Sequence, residues 1–215
     1  MSTIITPGFY GKLPCVGDFV RRRLPDAFVD HWDAAMQRLL IASADRDSAE
    51  DAPDNQDGDA SLHWSFALAP GVCGASAWAG SVIGSRDRVG RAFPLVVAWP
   101  IVDDSVAWFD SAQDLLRRAV DGDFDDVDAF DRACAGLARD NVIDALFAAW
   151  RAAHSDSDDR SCLWWSPMTD ASPGAWVLTD GLSLPAYRGG PGIARSEPSR
   201  EPHWRETLSQ GAASV

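Results

Sequence analysis

Seven residues are candidates for a binding site, because cationic and aromatic side chains dominate protein recognition surfaces. They are Lys12, Asp18, Arg86, Arg88, Arg91, Trp164 and Trp165. The planar guanidinium of arginine binds a carboxylate or a phosphate through two parallel hydrogen bonds. We therefore expect the three arginines to contact an acidic group of a partner. The alternative is that they form internal ion pairs with Asp18, Asp33 or Asp87.

Lys12 is the only lysine among 19 basic residues, and we expect it to be exposed, either in solvent or at a partner contact. The dipeptide Gly11-Lys12 resembles the end of a phosphate-binding loop. That motif requires a glycine five positions earlier and a serine or threonine after the lysine, whereas this chain has Thr6 and Leu13 there. A nucleotide-binding loop is therefore excluded at this place.

No other string in the sequence matches a catalytic or metal-binding motif. The patterns G-x-S-x-G and H-E-x-x-H are absent, and the four histidines have no ligand spacing. The four cysteines contain no C-x-x-C pair, and we expect them to be buried free thiols. The sequence therefore predicts no catalytic residue, no metal site and no cofactor.

The pair Trp164-Trp165 lies in a predicted strand, where neighbouring side chains point to opposite faces. At least one of the two rings then needs cover from a second layer of the domain or from a partner. A second basic cluster, Arg21 to Arg23, stands before the first predicted helix.

The charge of the whole chain restricts its partners. Its 215 residues carry a formal net charge of -13, which repels nucleic-acid phosphates and anionic lipid headgroups. We therefore expect neither nucleic-acid binding nor membrane insertion. The N-terminus lacks the basic start and apolar run of a signal peptide, and no apolar stretch is long enough to span a bilayer. A cytoplasmic location is predicted.

Hydrophobic periodicity predicts the elements that position these residues. A helix is expected from about Asp26 to Ala42, and a second helix follows the N-cap Asp104 or Ser105. Extended or turn structure is expected over residues 7–23, and alternating apolar residues predict a strand over 62–68. Further strands are expected near 74–82 and 93–99, joined by short turns, and at 162–165 and 175–179. The order favours an α+β domain with a mainly antiparallel sheet.

Two segments differ in composition from the rest of the chain. Residues 43–60 hold seven acidic residues against one arginine and almost no large apolar residue, so we expect an acidic loop insert that is dispensable for folding. Residues 189–215 are rich in Gly, Pro, Ser and Arg, and we expect a flexible tail. One domain over residues 1–188 is predicted.

Two strings carry a family resemblance, G-K-L-P-x-x-G-D-F over residues 11–19 and D-R-V-G-R-x-F-P-L over residues 87–95. With S-C-L-W-W over 161–165 and shorter matches between, the chain resembles the TagF (ImpM) family of type VI secretion accessory proteins over roughly residues 8–187. It departs from the family at Gly84-Ser85-Arg86, where a P-S-x string is usual, and this departure makes the turn more positive.

The resemblance implies a three-layer α/β/α domain around an antiparallel sheet, similar to longin or profilin folds. It also implies a non-enzymatic regulator that represses the type VI secretion apparatus after translation. The implied partner is the forkhead-associated scaffold protein of that system. Neither the function nor the partner follows from composition or spacing.

Two other classes of function remain open at this stage. An enzyme acting on a phosphorylated or acidic small molecule would place Lys12 and both arginine clusters around one deep pocket. A longin-like general adaptor would use an exposed helix face or sheet edge. We further expect the segment Gly8–Arg23 to pack beside the turn Ser85–Arg91 and to form one surface with it, because these segments hold the two most specific strings.

Overall fold

A computed structural model of the chain describes residues 5–47, 62–102, 107–140, 147–148, 150–151, 160–166 and 175–184. The strands are β1 (Gly8–Lys12), β2 (Phe19–Arg22), β3 (His63–Leu68), β4 (Trp78–Ile83), β5 (Leu95–Pro100), β6 (Ser161–Trp165) and β7 (Trp176–Asp180). The helices are α1 (Asp26–Asp47), α2 (Phe109–Val120) and α3 (Val127–Ala135).

The seven strands form one sheet in the order β2-β1-β5-β4-β3-β6-β7. Every neighbouring pair is antiparallel. The predicted α+β class with an antiparallel sheet is confirmed. The closer likeness to longin or profilin folds stays a prediction.

Helices cover both faces of the sheet. Trp32 of α1 lies 5.1 Å from Phe66 and 6.4 Å from Trp164, measured between ring centroids. On the other face, Phe109 of α2 lies 4.8 Å from Trp165. Burial of these large rings removes much apolar area from water and holds the layers together.

The adjacent tryptophans of β6 therefore belong to two halves of the core. Trp164 packs against α1, Trp165 packs against α2, and both side chains are buried. The first of the two expected explanations, cover by layers of the same domain, is confirmed. Trp164 has no accessible surface and Trp165 keeps only 8%, so this fold does not support the expectation that Trp164 and Trp165 contact a partner.

The start of α2 differs from the prediction. The N-cap position is held by Trp108, whose side chain makes no capping hydrogen bond. Instead, the carboxylate of Asp140 accepts hydrogen bonds from the backbone N–H of Phe109 at 2.7 Å and of Asp110 at 3.3 Å. The predicted cap at Asp104 or Ser105 is wrong, since the acceptor comes from about 30 positions further along the chain.

The first helix is longer than its hydrophobic pattern indicates. It ends at Asp47 rather than near Ala42, so the first five residues of the acidic segment are helical. Residues 48–60 and the tail 189–215 lie outside the described residues, and their loop character and dispensability stay predictions. Within the described part, no helix has the length and apolar character that a bilayer crossing demands.

Candidate functional site

Two loops meet at one end of the sheet, and we call them, with the strand residues that flank the first loop, the tip, defined as residues Lys12–Phe19 and Ser85–Arg91. The Ser85 hydroxyl donates to the backbone oxygen of Lys12 at 2.8 Å. The backbone N–H of Arg88 donates to the oxygen of Val16 at 2.8 Å. These contacts show that the part of Gly8–Arg23 around Lys12 and Val16 packs beside the turn Ser85–Arg91, as expected; that the two segments form one binding surface stays a prediction.

The carboxylate of Asp87 organises the tip. Its Oδ1 accepts hydrogen bonds from the backbone N–H of Val89 at 3.0 Å and of Arg91 at 2.9 Å. Its Oδ2 accepts from Arg91 Nε at 2.7 Å and from Lys12 Nζ at 2.5 Å. Four donors from three residues therefore fix the loop around one buried acceptor group.

The protonation of Asp87 follows from this cage. Burial by itself raises the pKa of a carboxyl, because it disfavours the charged form. The hydrogen bonds from Lys12, from Arg91 and from the Val89 backbone outweigh that effect and hold the pKa of Asp87 below its usual range. Asp87 is consequently ionised at any physiological pH, and its charge is matched by Lys12 and Arg91.

Lys12 is buried, contrary to the sequence expectation that it is exposed. Only 5% of its surface is accessible, and its Nζ lies 4.6 Å from the centroid of the Phe19 ring. An ammonium tolerates burial when a carboxylate and a ring face compensate its lost hydration. Lys12 therefore supports the tip from beneath and does not present its charge to a partner.

Gly11 allows the strand before Lys12 to approach its neighbour closely. Its φ is 137°, a value that side chains with a Cβ rarely adopt. A Cβ at this position would also overlap the backbone oxygen of Pro94 and lie 2.8 Å from the Cα of Leu95. The close packing of β1 on β5 at this point thus depends on the missing side chain.

The outer face of the tip carries the remaining candidate residues. The exposed residues are Asp18, Arg86, Arg88 and Arg91 together with the apolar Phe19 and Val89. Arg91 points partly inward, since its Nη2 donates to the backbone oxygen of Gly17. Arg86 Nη1 donates to the oxygen of Gly90 at 3.2 Å. Arg91 also forms the ion pair with Asp87 described above, so for Arg91 the alternative of internal ion pairing is the observed one.

The other arginine cluster does not join the tip. Arg22 pairs in register with Phe9, whereas Phe19 pairs with Lys12, which places Arg22 about 10 Å further along β2. Arg22 and Arg23 form ion pairs with Asp131 of α3. One site built from Lys12 and both arginine clusters, as the enzyme alternative requires, is not formed by these residues.

A cleft of about 280 Å³ lies elsewhere, between α2 and α3, and Asp114 and Arg118 are among its lining residues. Neither Lys12 nor the arginines of the tip line this cleft. In the described ranges, no group of three metal-ligating side chains comes together. Three of the four cysteines are buried free thiols, as expected, and Cys15 is only half-buried.

Sequence reasoning missed two residues of this surface, Phe19 and Val89. Both are large apolar side chains that remain exposed, 43% for Phe19 and 66% for Val89. A signal was present, because each belongs to one of the two specific strings and neither fits an apolar stripe. Apolar character alone favoured a core position, so the pattern analysis did not select them.

Comparisons with known proteins show which family the chain resembles. Residues 8–137 match the family model described as TagF N-terminal domain, Type VI secretion system-associated. The crystal structure of PA0076 from Pseudomonas aeruginosa PAO1 is similar to this chain with a TM-score of 0.62 and 29% sequence identity, over 86% of this chain and 100% of that chain. A search among curated proteins finds no significant match. Both loops of the tip lie within the matched residues.

Proposed function

The chain belongs to the TagF family of type VI secretion-associated proteins, and we propose that it is a repressor of that system which acts by binding the forkhead-associated scaffold protein. Binding rather than turnover is the mechanism. The protein acts in the cytoplasm, and it requires neither a cofactor nor a metal.

The observation that carries this proposal is the construction of the tip. Asp87 holds the loop rigidly from inside, while Arg88 and Val89 point outward from the same turn. A loop that is ordered before binding loses little conformational entropy on association. Cationic and apolar side chains together are typical of the centre of a protein–protein interface.

The chemistry of the buried residues supports binding over catalysis. A general acid or base must reach a substrate proton directly or through one water molecule. Lys12 and Asp87 are buried against each other at 2.5 Å, so neither is aimed at open space. The ion pair between Lys12 and Asp87 instead stabilises the conformation of the turn Ser85–Arg91.

The proposal is tested with purified proteins. We expect the full chain to bind the purified scaffold protein of its host in isothermal titration calorimetry, and Arg88→Glu to weaken the binding at least about tenfold. The same full chain, incubated with phosphorylated small molecules, is expected to release no phosphate. Turnover of any such substrate, or failure of the wild type to bind the scaffold, would contradict the proposal.

A second test uses the host. Deletion of the chain should increase secretion through the type VI apparatus, and expression of the wild type should restore repression. Arg88→Glu should fail to restore it at equal protein level. Unchanged secretion in the deletion strain would show that the chain is not a repressor.

A further inference from the structure

The outer face of the tip combines one unpaired cation with two exposed apolar side chains. Arg88 is exposed, and within the described part of the chain its guanidinium takes part in no hydrogen bond or ion pair. It lies over the backbone of Gly17, where an added Cβ would stand 3.8 Å from Nη2. Val89 follows it in the same turn, and Phe19, whose ring contacts Lys12, is the second exposed apolar residue of this surface.

Phe19 and the backbone of Val89 are connected through two buried residues. Lys12 Nζ contacts the Phe19 ring at 4.6 Å and the Asp87 carboxylate at 2.5 Å. The same carboxylate holds the backbone of Val89 at 3.0 Å, and the backbone N–H of Arg88 donates to the oxygen of Val16 at 2.8 Å. The backbone that carries Arg88 and Val89 is consequently fixed before any partner arrives.

We propose, building on the function proposed above, that the tip binds an acidic segment of the scaffold protein in which a carboxylate lies beside an apolar side chain. The carboxylate binds Arg88 in the two-point geometry that the guanidinium favours. The apolar side chain packs against Val89 and Phe19. The partner is thereby defined by two chemical groups at adjacent positions.

A short acidic peptide fits this surface better than a polyanion does. The two loops and Lys12 hold four cations against two acidic residues, whereas the whole chain carries a net charge of -13. A nucleic acid or an anionic membrane would be repelled by the negative charge of the rest of the chain, whereas a short acidic segment contacts only the locally positive tip. The exposed apolar side chains also have no use in binding a phosphate backbone.

The closing experiment compares two charge reversals of exposed arginines. Arg88→Glu changes the tip. Arg139→Glu is the matched control, because Arg139 is exposed and has no ion pair among the described residues. Arg139 precedes Asp140, the residue that caps α2. Both variants should keep the wild-type melting temperature. We expect at least about tenfold weaker scaffold binding for Arg88→Glu and wild-type binding for Arg139→Glu.

Rescue identifies the acidic segment. Single Asp→Lys and Glu→Lys substitutions across the scaffold should include at least one that restores binding to Arg88→Glu while weakening binding to the wild type. No rescue at any position would overturn the inference. If the wild type binds and Arg88→Glu binds equally well, the inference fails but the proposed function stands. If the wild type does not bind the scaffold, both fail.

Two further measurements define the chemistry. Val89→Ser should weaken scaffold binding by about tenfold, because a buried valine contributes roughly that factor; unchanged affinity would contradict the apolar part of the inference. Phosphatase-treated scaffold should bind as well as untreated scaffold. Loss of binding after that treatment would show that Arg88 reads a phosphate instead of a carboxylate.

Discussion

The ammonium of Lys12 lies 2.5 Å from the carboxylate of Asp87, and this contact joins two segments that are 75 positions apart in sequence. Both side chains are buried. The two strings that identify the family therefore meet in one ion pair. The pair explains why a lone lysine in an arginine-rich protein stands at this position: its compact head fits beneath Phe19 and still reaches the carboxylate.

Replacing Lys12 by methionine tests the structural role of this pair. The apolar stem remains, but Asp87 loses its closest donor and stays buried as a charge. We expect a clearly lower melting temperature in thermal denaturation, since an uncompensated buried charge is strongly destabilising. Arg139→Glu serves as the comparison and should melt as the wild type does. A Lys12→Met variant of wild-type stability would show that Arg91 and the backbone suffice.

The pH dependence of stability should contain a contribution from Asp87. Its pKa in the folded chain is lowered from the ordinary value of 3.8, so the unfolded chain takes up the proton first as the pH falls. The contribution of Asp87 to the free energy of unfolding is complete above about pH 5. It is lost as the pH falls through 3.8 toward the lowered pKa of the folded chain. Urea unfolding between pH 3 and 7 measures this slope.

The variant Asp87→Asn removes the titrating group and should flatten that slope. If it does not fold, Lys12→Met provides the second variant, because removal of one donor raises the folded pKa and shortens the pH range of the loss. An unchanged slope in either variant would show that other carboxyl groups determine the acid sensitivity.

Two glycines with positive φ allow a matched comparison. Gly11→Ala should strongly destabilise the fold or prevent it, because the new Cβ overlaps the Pro94 backbone and φ is 137°. Gly90→Ala introduces a smaller backbone penalty, because φ 86° lies nearer the left-handed region that other residues can enter, and it meets no atom within 4 Å; it should cost only about 1–2 kcal/mol. Yields of soluble protein and thermal melts distinguish the two. Equal behaviour would mean that the close approach of β1 to β5 is not needed.

Asp140 should stabilise α2 although it lies far from it in sequence. Asp140→Ala removes both acceptors from the first backbone N–H groups of the helix and should cost about 0.5–2 kcal/mol of unfolding free energy. Asp114→Ala is the control, because Asp114 is exposed and, among the residues that the structure describes, pairs only with Arg117 of the same helix, a contact worth about 0.2–0.5 kcal/mol. Equal costs for the two variants would contradict the capping role.

Substitution of Trp165 should act on stability and not on recognition. Trp165→Ala leaves a cavity beside Phe109 and Phe147 and should cost about 3–5 kcal/mol. Its folded fraction should bind the scaffold with wild-type affinity in a titration at low temperature. A loss of affinity in a variant that remains folded would restore the tryptophan as a contact residue.

The sequence predicted what depends on local pattern and missed what depends on distant partners. Strand β3 follows from alternating apolar residues and β6 from a short continuous apolar run, and the meeting of the two loops followed from their specific strings. The burial of Lys12 could not be read from its neighbours, because its counter-charge lies 75 positions away. Asp140 likewise carried no capping signal, since caps are recognised from the residues next to a helix. Val89 was overlooked because apolar character alone favours a core position, although its place outside any apolar stripe was a signal of exposure.

The capping of α2 by Asp140, a residue distant in sequence, bears on where the chain can be shortened. The family match stops at residue 137, yet Asp140 lies beyond it, and so do β6 and β7, which extend the sheet past β3. A chain shortened to residue 137 would free the first turn of α2 and leave the edge of β3 and the rings of Trp32 and Phe109 open to water. We therefore expect that residues 8–137 alone do not form a stable domain, because part of the sheet and the cap of α2 lie outside the matched region.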